Sequence, residues 1–211
     1  MKAAWKDVDR DLGGGARDCW RYEIAACRVD KLIGLNMVPP AVEREFQGKA
    51  GALSLWADSK YNLLEIMEQG IKIPESELKQ LNDMTYIARL WYCLIANDDQ
   101  TQENCRYTED WRTILLDHSR AFRSDKEYTE RLVFGINGIK GAQDDSRPFL
   151  IRRVPRVLLA KIKGLDFAGI KHAVGPYLTK REIESIIARK KLILDEIAEM
   201  IKQNGEDKVL Y

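Results

Sequence analysis

Two long segments with apolar residues at every third or fourth position constrain the fold of this 211-residue chain most. The first follows Pro74 and continues to Ile95, and the second follows Thr179 and stops at Gly205. Thr179 and Glu182 have the spacing of a capping box, in which two side chains satisfy backbone N–H groups at a helix start. The pattern predicts two long amphipathic helices, the first apolar enough to lie centrally.

The first 58 residues indicate a different, strand-containing part. AAWKDV at residues 3–8 predicts a short strand, and the acidic, Gly-rich stretch from Asp7 to Asp18 predicts a loop. A helix is expected from about Trp20 to a stop at Gly34. Residues 36–58 alternate Val, Leu and Trp with polar or small residues, which is typical of two short strands.

The remaining segments are mostly helical or polar. NDDQTQENCRYTEDW, at residues 97–111, predicts a polar loop, and TILLD, at 113–117, predicts a short buried strand. Ser124 to Arg147 predicts loop with some helix, and a further helix is expected after Pro155, closed by Gly164. The chain is therefore expected to be α+β, with a small strand-containing part followed by a mainly helical part.

Composition excludes several classes of function. The chain has 34 Lys and Arg against 33 Asp and Glu, so no long-range field favours nucleic acid or an anionic membrane. No apolar run reaches the ~20 residues of a membrane span, and the N-terminus lacks the apolar core of a signal peptide. Four cysteines without zinc-site spacing indicate reduced, buried thiols and a cytoplasmic location. We expect His118 to pack or hydrogen-bond, and His172 to lie at the surface.

Four oxygen-bearing side chains lie beside the apolar segments of the middle of the chain: Asp98, Asp99, Asn104 and Asp117. The order of these residues matches that of kinase-type phosphoryl-transfer enzymes. It consists of Asp99, then Asn104 five residues later, then Asp117 at the end of an apolar strand. The alternative is a solvated loop in which Asp98 and Asp99 are turn residues. Because no Lys or Arg follows Asp117 before Arg120, the sequence predicts a divalent cation shared with Asn104 as its compensating charge.

Four segments carry a resemblance to a known family. RYEIAACRVDKLIGLNMVPPAV (residues 21–42) resembles the helix-then-strand segment of the HipA-like and phosphatidylinositol 3/4-kinase-like branch of atypical kinases. LIANDDQTQEN (94–104) resembles the catalytic loop of that branch, and ILLDHSRAF (114–122) resembles its metal-binding strand. AAWK (3–6) resembles the strand with the phosphate-binding lysine. The resemblance covers the chain in order from Ala3 to Phe122.

The resemblance implies a protein-kinase-like fold, with a shortened N-lobe over residues 1–58 and a helical C-lobe over residues 59–211. It implies ATP with Mg²⁺ or Mn²⁺ as cofactors. Lys6 would contact the nucleotide phosphates, Glu23 would pair with Lys6, and Asp99 would be the catalytic carboxylate.

The same resemblance implies which residues bind the metal and which contact the adenine base. Asn104 and Asp117 would be the metal ligands. The segment from Ala52 to Trp56 would be the hinge that contacts adenine, with Leu55 and Trp56 as its binding residues. Ordinary β core is the alternative for this segment.

The chain also departs from the family pattern. Gln100 and Thr101 stand where the family has Arg-His, and Glu103 stands where it has Gly. The two strands and Gly-rich loop that precede the lysine in the family are not found before Lys6, and Gly13 to Gly15 fit a connector better than a phosphate loop.

Three functions therefore stay open. The first is a kinase-like phosphotransferase acting on an unidentified acceptor. The second is a catalytically silent kinase-like protein that binds a nucleotide or a protein partner. The third is a helical interaction domain whose acidic loop is only solvated.

Overall fold

A computed structural model describes residues 2–132 and 151–211 of the protein. The strands in this part of the chain are β1 (Ala3–Lys6), β2 (Asp9–Gly13), β3 (Ala16–Cys19), β4 (Ala41–Phe46), β5 (Lys49–Leu55), β6 (Tyr61–Asn62), β7 (Cys105–Tyr107) and β8 (Thr113–Leu115). Its α-helices are α1 (Arg21–Ile33), α2 (Leu63–Glu68), α3 (Glu75–Ile95), α4 (Lys126–Glu130), α5 (Arg156–Lys163), α6 (Phe167–Val174), α7 (Lys180–Asn204) and α8 (Glu206–Val209). Short 3-10 turns lie at Gln102–Asn104 and Gly175–Tyr177. The chain is mixed α and β, with small sheets and many helices.

The first strand and the strand pair of residues 36–58 form one antiparallel sheet in the order β1-β5-β4. In this N-terminal sheet Lys6 lies opposite Ala52, and Val42 lies opposite Leu53. The three predicted strands are confirmed. Because side chains alternate between the two faces of a strand, the sheet turns Lys6 and Trp5 to opposite sides.

The loop prediction for Asp7 to Asp18 is wrong, because β2 and β3 form an antiparallel hairpin there. The turn runs through Gly13, Gly14 and Gly15, whose positive φ angles of 81°, 59° and 83° suit glycine. Every residue of β2 is exposed. A strand without a buried face has no apolar alternation, so the sequence pattern gave no strand signal here.

The predicted helices α1, α3, α5 and α7 are confirmed. Gly34, with φ of 72°, is the left-handed cap that ends α1. Pro74 precedes α3, and Gly164 follows α5. At the start of α7 the Thr179 hydroxyl accepts from the Glu182 N–H, and the Glu182 carboxylate accepts from the Thr179 N–H, as the capping box predicts.

A second three-stranded antiparallel sheet has the order β6-β7-β8. Of its strands only β8, within TILLD, is predicted from the sequence. The strands β6 and β7 have two and three residues, which is too short for a periodic signal. The short helices α2, α6 and α8 are also missed. Within the Ser124–Arg147 prediction, α4 supplies the helix, and residues 133–147 lie outside the described residues.

One hydrophobic core joins the strand-containing and helical parts. Its buried members run from Cys19 to Leu210, so the core is continuous across residue 58. Helix α1 packs against β4, β5 and α6, and α3 packs against α7. The division of the chain at residue 58 stays a prediction. Among the described residues, every helix is too short or too polar to cross a bilayer.

Candidate nucleotide and metal site

A cavity of about 270 Å³ lies between the N-terminal sheet, α1 and the segment that follows β8. It brings together six of the seven residues that the sequence analysis selected: Lys6, Glu23, Leu55, Trp56, Asn104 and Asp117. Its walls are mainly apolar and include Val38, Leu115 and Leu116. A mostly apolar cleft with a few convergent charged groups is the usual form of a small-molecule site.

An ion-pair network built on Lys6 crosses this cavity. The Nζ atom of Lys6 lies 2.6 Å from Glu23 Oε1 and 2.6 Å from Asp117 Oδ1. Strand β1 supplies Lys6 and helix α1 supplies Glu23. Asp117 follows strand β8 by two residues. Three elements that are distant in sequence therefore meet at one ammonium group.

The network keeps both Lys6 and Glu23 charged. Burial lowers the pKa of Lys6, but the carboxylates of Glu23 and Asp117 outweigh burial and raise that pKa above its usual value. Burial raises the pKa of Glu23, but His118 and Lys6 bring it down to about 2. At neutral pH, Lys6 is therefore protonated and Glu23 is ionised.

Asn104 and Asp117 are placed together by the backbone. The N–H of Leu116 donates to the carbonyl of Asn104 at 2.9 Å, so the two side chains leave adjacent positions. Asp117 has a φ of 57°, in the left-handed region that Asp tolerates better than most residues. The Asp117 side chain is 44% exposed and reaches the cavity.

The donor atoms at this position fit a divalent cation of the Mg²⁺ type. Mg²⁺ in nucleotide sites is held by one or two protein oxygens, with phosphate and water oxygens completing six-fold coordination. The carboxylate of Asp117 and the amide oxygen of Asn104 are such oxygens, and both line the cavity. Among residues 2–132 and 151–211, no group of three or more His, Cys, Asp or Glu could hold a metal.

The premise that Asp117 has no basic partner is wrong, whereas the metal site shared with Asn104 stays a prediction. No basic residue is close in sequence before Arg120, but β1 brings Lys6 to 2.6 Å from the carboxylate. Ser119 Oγ donates a further hydrogen bond to Asp117 Oδ1 at 3.1 Å. Asp117 therefore has polar partners without a metal, which a local sequence window cannot reveal.

The predicted hinge residues Leu55 and Trp56 line the cavity, and the Trp56 side chain is 60% exposed. The backbone N–H groups of both residues already donate hydrogen bonds to backbone carbonyls. Leu55 donates to the carbonyl of Pro40 at 2.8 Å, and Trp56 donates to that of Lys2 at 3.0 Å. These two residues can therefore offer a nucleotide base their side chains, including the indole ring, but not their N–H groups.

Asp99 is the one selected residue that does not line this cavity. Its Oδ1 lies 3.0 Å from Arg120 Nη1, and the same guanidinium lies 3.4 Å from Asp18 Oδ2 on the β2–β3 hairpin. Burial raises the pKa of Asp99, and the Arg120 charge only partly offsets this. The neighbouring Asp98 is buried and accepts a hydrogen bond from the Tyr128 hydroxyl. Neither Asp98 nor Asp99 is thus a freely solvated turn residue.

Three polar residues that build the site were not predicted from the sequence. Asn97 is fully buried, and its Nδ2 donates to the Asp117 carbonyl at 3.1 Å while its Oδ1 accepts from the Asp99 N–H at 3.3 Å. Arg106 lines the cavity and donates to Ser59 Oγ at 2.6 Å. Only the position of Asn97, directly after a long apolar helix, gave a signal in sequence.

The third missed residue, Arg189 on α7, is almost completely buried. It donates from Nε to the carbonyl of Leu94 at 2.9 Å and from Nη1 to that of Arg123 at 2.7 Å. Burial lowers its pKa to about 9. It thereby ties the end of α3 to the segment after Asp117, and neither contact is local in sequence.

No family model matches the chain, and no curated protein matches it in sequence. Among solved structures, the chain is similar to one described as the structure of hydra Fam20 with sugar. The two chains are 15% identical, and the match has a TM-score of 0.64 over 99% of this chain and 81% of the Fam20 chain. At this identity the similarity concerns the fold alone. It supports a kinase-like fold for the protein.

Proposed function

We propose that the protein is a kinase-like phosphotransferase that binds ATP with Mg²⁺ or Mn²⁺ in the cavity beneath the N-terminal sheet. The observation that carries this proposal is the Lys6 ammonium group, held 2.6 Å from both Glu23 and Asp117 in one cleft. We assign the chain to the HipA-like and phosphatidylinositol 3/4-kinase-like branch on the four matching segments. The acceptor of the phosphoryl group is unidentified.

Each residue of the cavity has a role under this proposal. Lys6 binds phosphate oxygens, and Glu23 holds the lysine in place. Asn104 and Asp117 hold the metal, which when bound supplies charge stabilisation to the transferring phosphoryl group. Trp56 offers its exposed ring to the base. We also propose a cytoplasmic location, because all four cysteines are free thiols, as a reducing compartment favours.

A second function is a nucleotide-binding protein without catalysis, and the pairing of Asp99 favours it. A general base must reach the acceptor hydroxyl, but Asp99 is engaged by Arg120 and does not line the cavity. Gln100 and Thr101 also replace the basic residues that shape this loop in the family. Transfer of a labelled γ-phosphoryl group separates this alternative from the enzyme.

Thermal unfolding with nucleotide and metal tests the binding that both functions share. Mg²⁺-ADP at 100 times its Kd should stabilise the protein by about 2.7 kcal/mol. Asp117→Asn should lose most of the Mg²⁺-dependent part and retain the weaker effect of metal-free ADP. Asp110→Asn, at an exposed position, is the matched control. No stabilisation by any purine nucleotide at millimolar concentration would contradict the proposal.

A further inference from the structure

His118 lies at the centre of a buried polar contact that the proposed roles do not yet use. Its side chain is completely buried, between Trp91 on α3 and Glu23 on α1. The indole Nε1 of Trp91 donates to His118 Nε2 at 3.2 Å, with the two rings edge to face. His118 Nδ1 lies 3.8 Å from Glu23 Oε2.

The Trp91 contact determines which nitrogen of His118 carries the proton. An indole N–H is only a donor, so Nε2 of His118 must be the unprotonated acceptor. The proton of the neutral ring then lies on Nδ1, the nitrogen that faces Glu23. Nδ1 is buried and makes no hydrogen bond with the residues that the structure describes, and Glu23 Oε2 lies 3.8 Å from it.

Glu23 needs donors other than Lys6. Its Oε1 accepts from Lys6 Nζ at 2.6 Å and from the His118 backbone N–H at 3.2 Å. If Lys6 turns toward a phosphate, the buried carboxylate loses part of its compensation, which is costly at this burial. The Nδ1–H group of His118 is placed to hold the carboxylate during that change.

We propose that His118 is a positioning residue, locked by Trp91 in the Nδ1–H tautomer so that it fixes Glu23 and, through Glu23, Lys6. The chain of contacts runs from α3 through the segment after β8 to α1 and β1. Its consequence for nucleotide binding rests on the proposed function, whereas the tautomer itself does not.

Nitrogen NMR of the wild-type protein without ligand tests the tautomer directly. The chain has two histidines, and His172 is exposed, so it serves as the internal reference for a solvated ring. We expect an unprotonated Nε2 and a protonated Nδ1 for His118, with a 15N–15N coupling through the hydrogen bond to Trp91. Loss of this coupling in Trp91→Phe identifies the signal. An Nε2–H tautomer, or no coupling, would overturn the proposal.

Two substitutions at His118 test the positioning role. Asn places an amide N–H near the position of Nδ1, whereas Phe keeps a ring but offers no donor. His118→Phe should weaken Mg²⁺-ATP binding roughly tenfold, because Phe leaves the buried Glu23 carboxylate without the polar N–H that faces it. His118→Asn should recover most of that affinity, and His172→Phe should change nothing.

The outcomes distinguish positioning from mere packing. Equal loss of affinity in the Asn and Phe variants, in step with equal loss of stability, would overturn the positioning role. Unchanged affinity in both would overturn it as well. If wild-type protein binds no nucleotide, the proposed function fails, and the NMR measurement still decides the tautomer of His118.

Discussion

The cavity around Lys6 and the loop around Asp99 differ in how their charged groups are held. In the cavity, the backbones of β1, α1 and the β8 segment bring Lys6, Glu23 and Asp117 together. In the loop, Asp99 is held by the partly exposed side chain of Arg120. Packed elements therefore fix the proposed nucleotide side of the site, whereas a partly exposed side chain holds Asp99 on the proposed acceptor side. Catalysis can be lost on such a fold while binding is retained.

The largest expected effect concerns Asp99 and tests whether the loop is active. If the protein transfers phosphate, Asp99→Asn should reduce turnover about 100-fold or more, as removal of a general base does. Nucleotide-dependent stabilisation should stay within about twofold of wild type, because Asp99 does not line the cavity. Steady-state transfer and thermal shift, measured on the same preparations, check the two effects.

An equal loss of transfer and binding in Asp99→Asn would show that the loop belongs to the nucleotide side of the site. No transfer by wild type, with normal nucleotide binding, would support the silent protein. The exposed Asp110→Asn variant controls for loss of charge in the same polar stretch.

The second effect concerns stability and Glu23. Lowering its pKa from 4.5 to about 2 in the folded state corresponds to roughly 3 kcal/mol at neutral pH. Glu23→Gln should lose about this amount, measured by urea unfolding. A depressed carboxylate pKa stabilises above the unfolded value, so the difference from wild type should shrink as pH falls from 4.5 toward 2.

Glu68→Gln, at an exposed helical position, is the control for this measurement and should change stability little. A Glu23→Gln variant as stable as wild type at pH 7 would mean that Lys6 and Glu23 are not held as a buried pair. The cavity would then be no more preorganised than the loop.

Sequence reasoning succeeded where packing is periodic or capped. The helices α1, α3 and α7 follow from apolar spacing and from caps such as Gly34 and Thr179. The meeting of Lys6, Glu23 and Asp117 came only from resemblance, because apolar periodicity does not report which charges converge. The roles of these residues stay predictions.

What could not be predicted is non-local or lacks a buried face. The Arg120 contact with Asp99 spans 21 positions, and the Lys6 contact with Asp117 spans 111. The hairpin of β2 and β3 has charged residues on both faces, so its hydrophobic pattern is that of a loop. A single sequence holds little information about such contacts, whether they lie in the cavity or in the Asp99 loop.

The smallest expected effect concerns Arg120, whose side chain is 39% exposed. Arg120→Gln should change the free energy of unfolding by less than about 1 kcal/mol, because ion pairs at this exposure are weak. It should leave nucleotide binding unchanged and alter only phosphoryl transfer, through a freed Asp99. Arg112→Gln is the matched control, since Arg112 pairs with Asp110 at the surface of the same stretch. A loss of nucleotide affinity in Arg120→Gln as large as the roughly tenfold loss expected for His118→Phe would show that the two regions act as one, because a side chain outside the cavity would then control the lysine inside it.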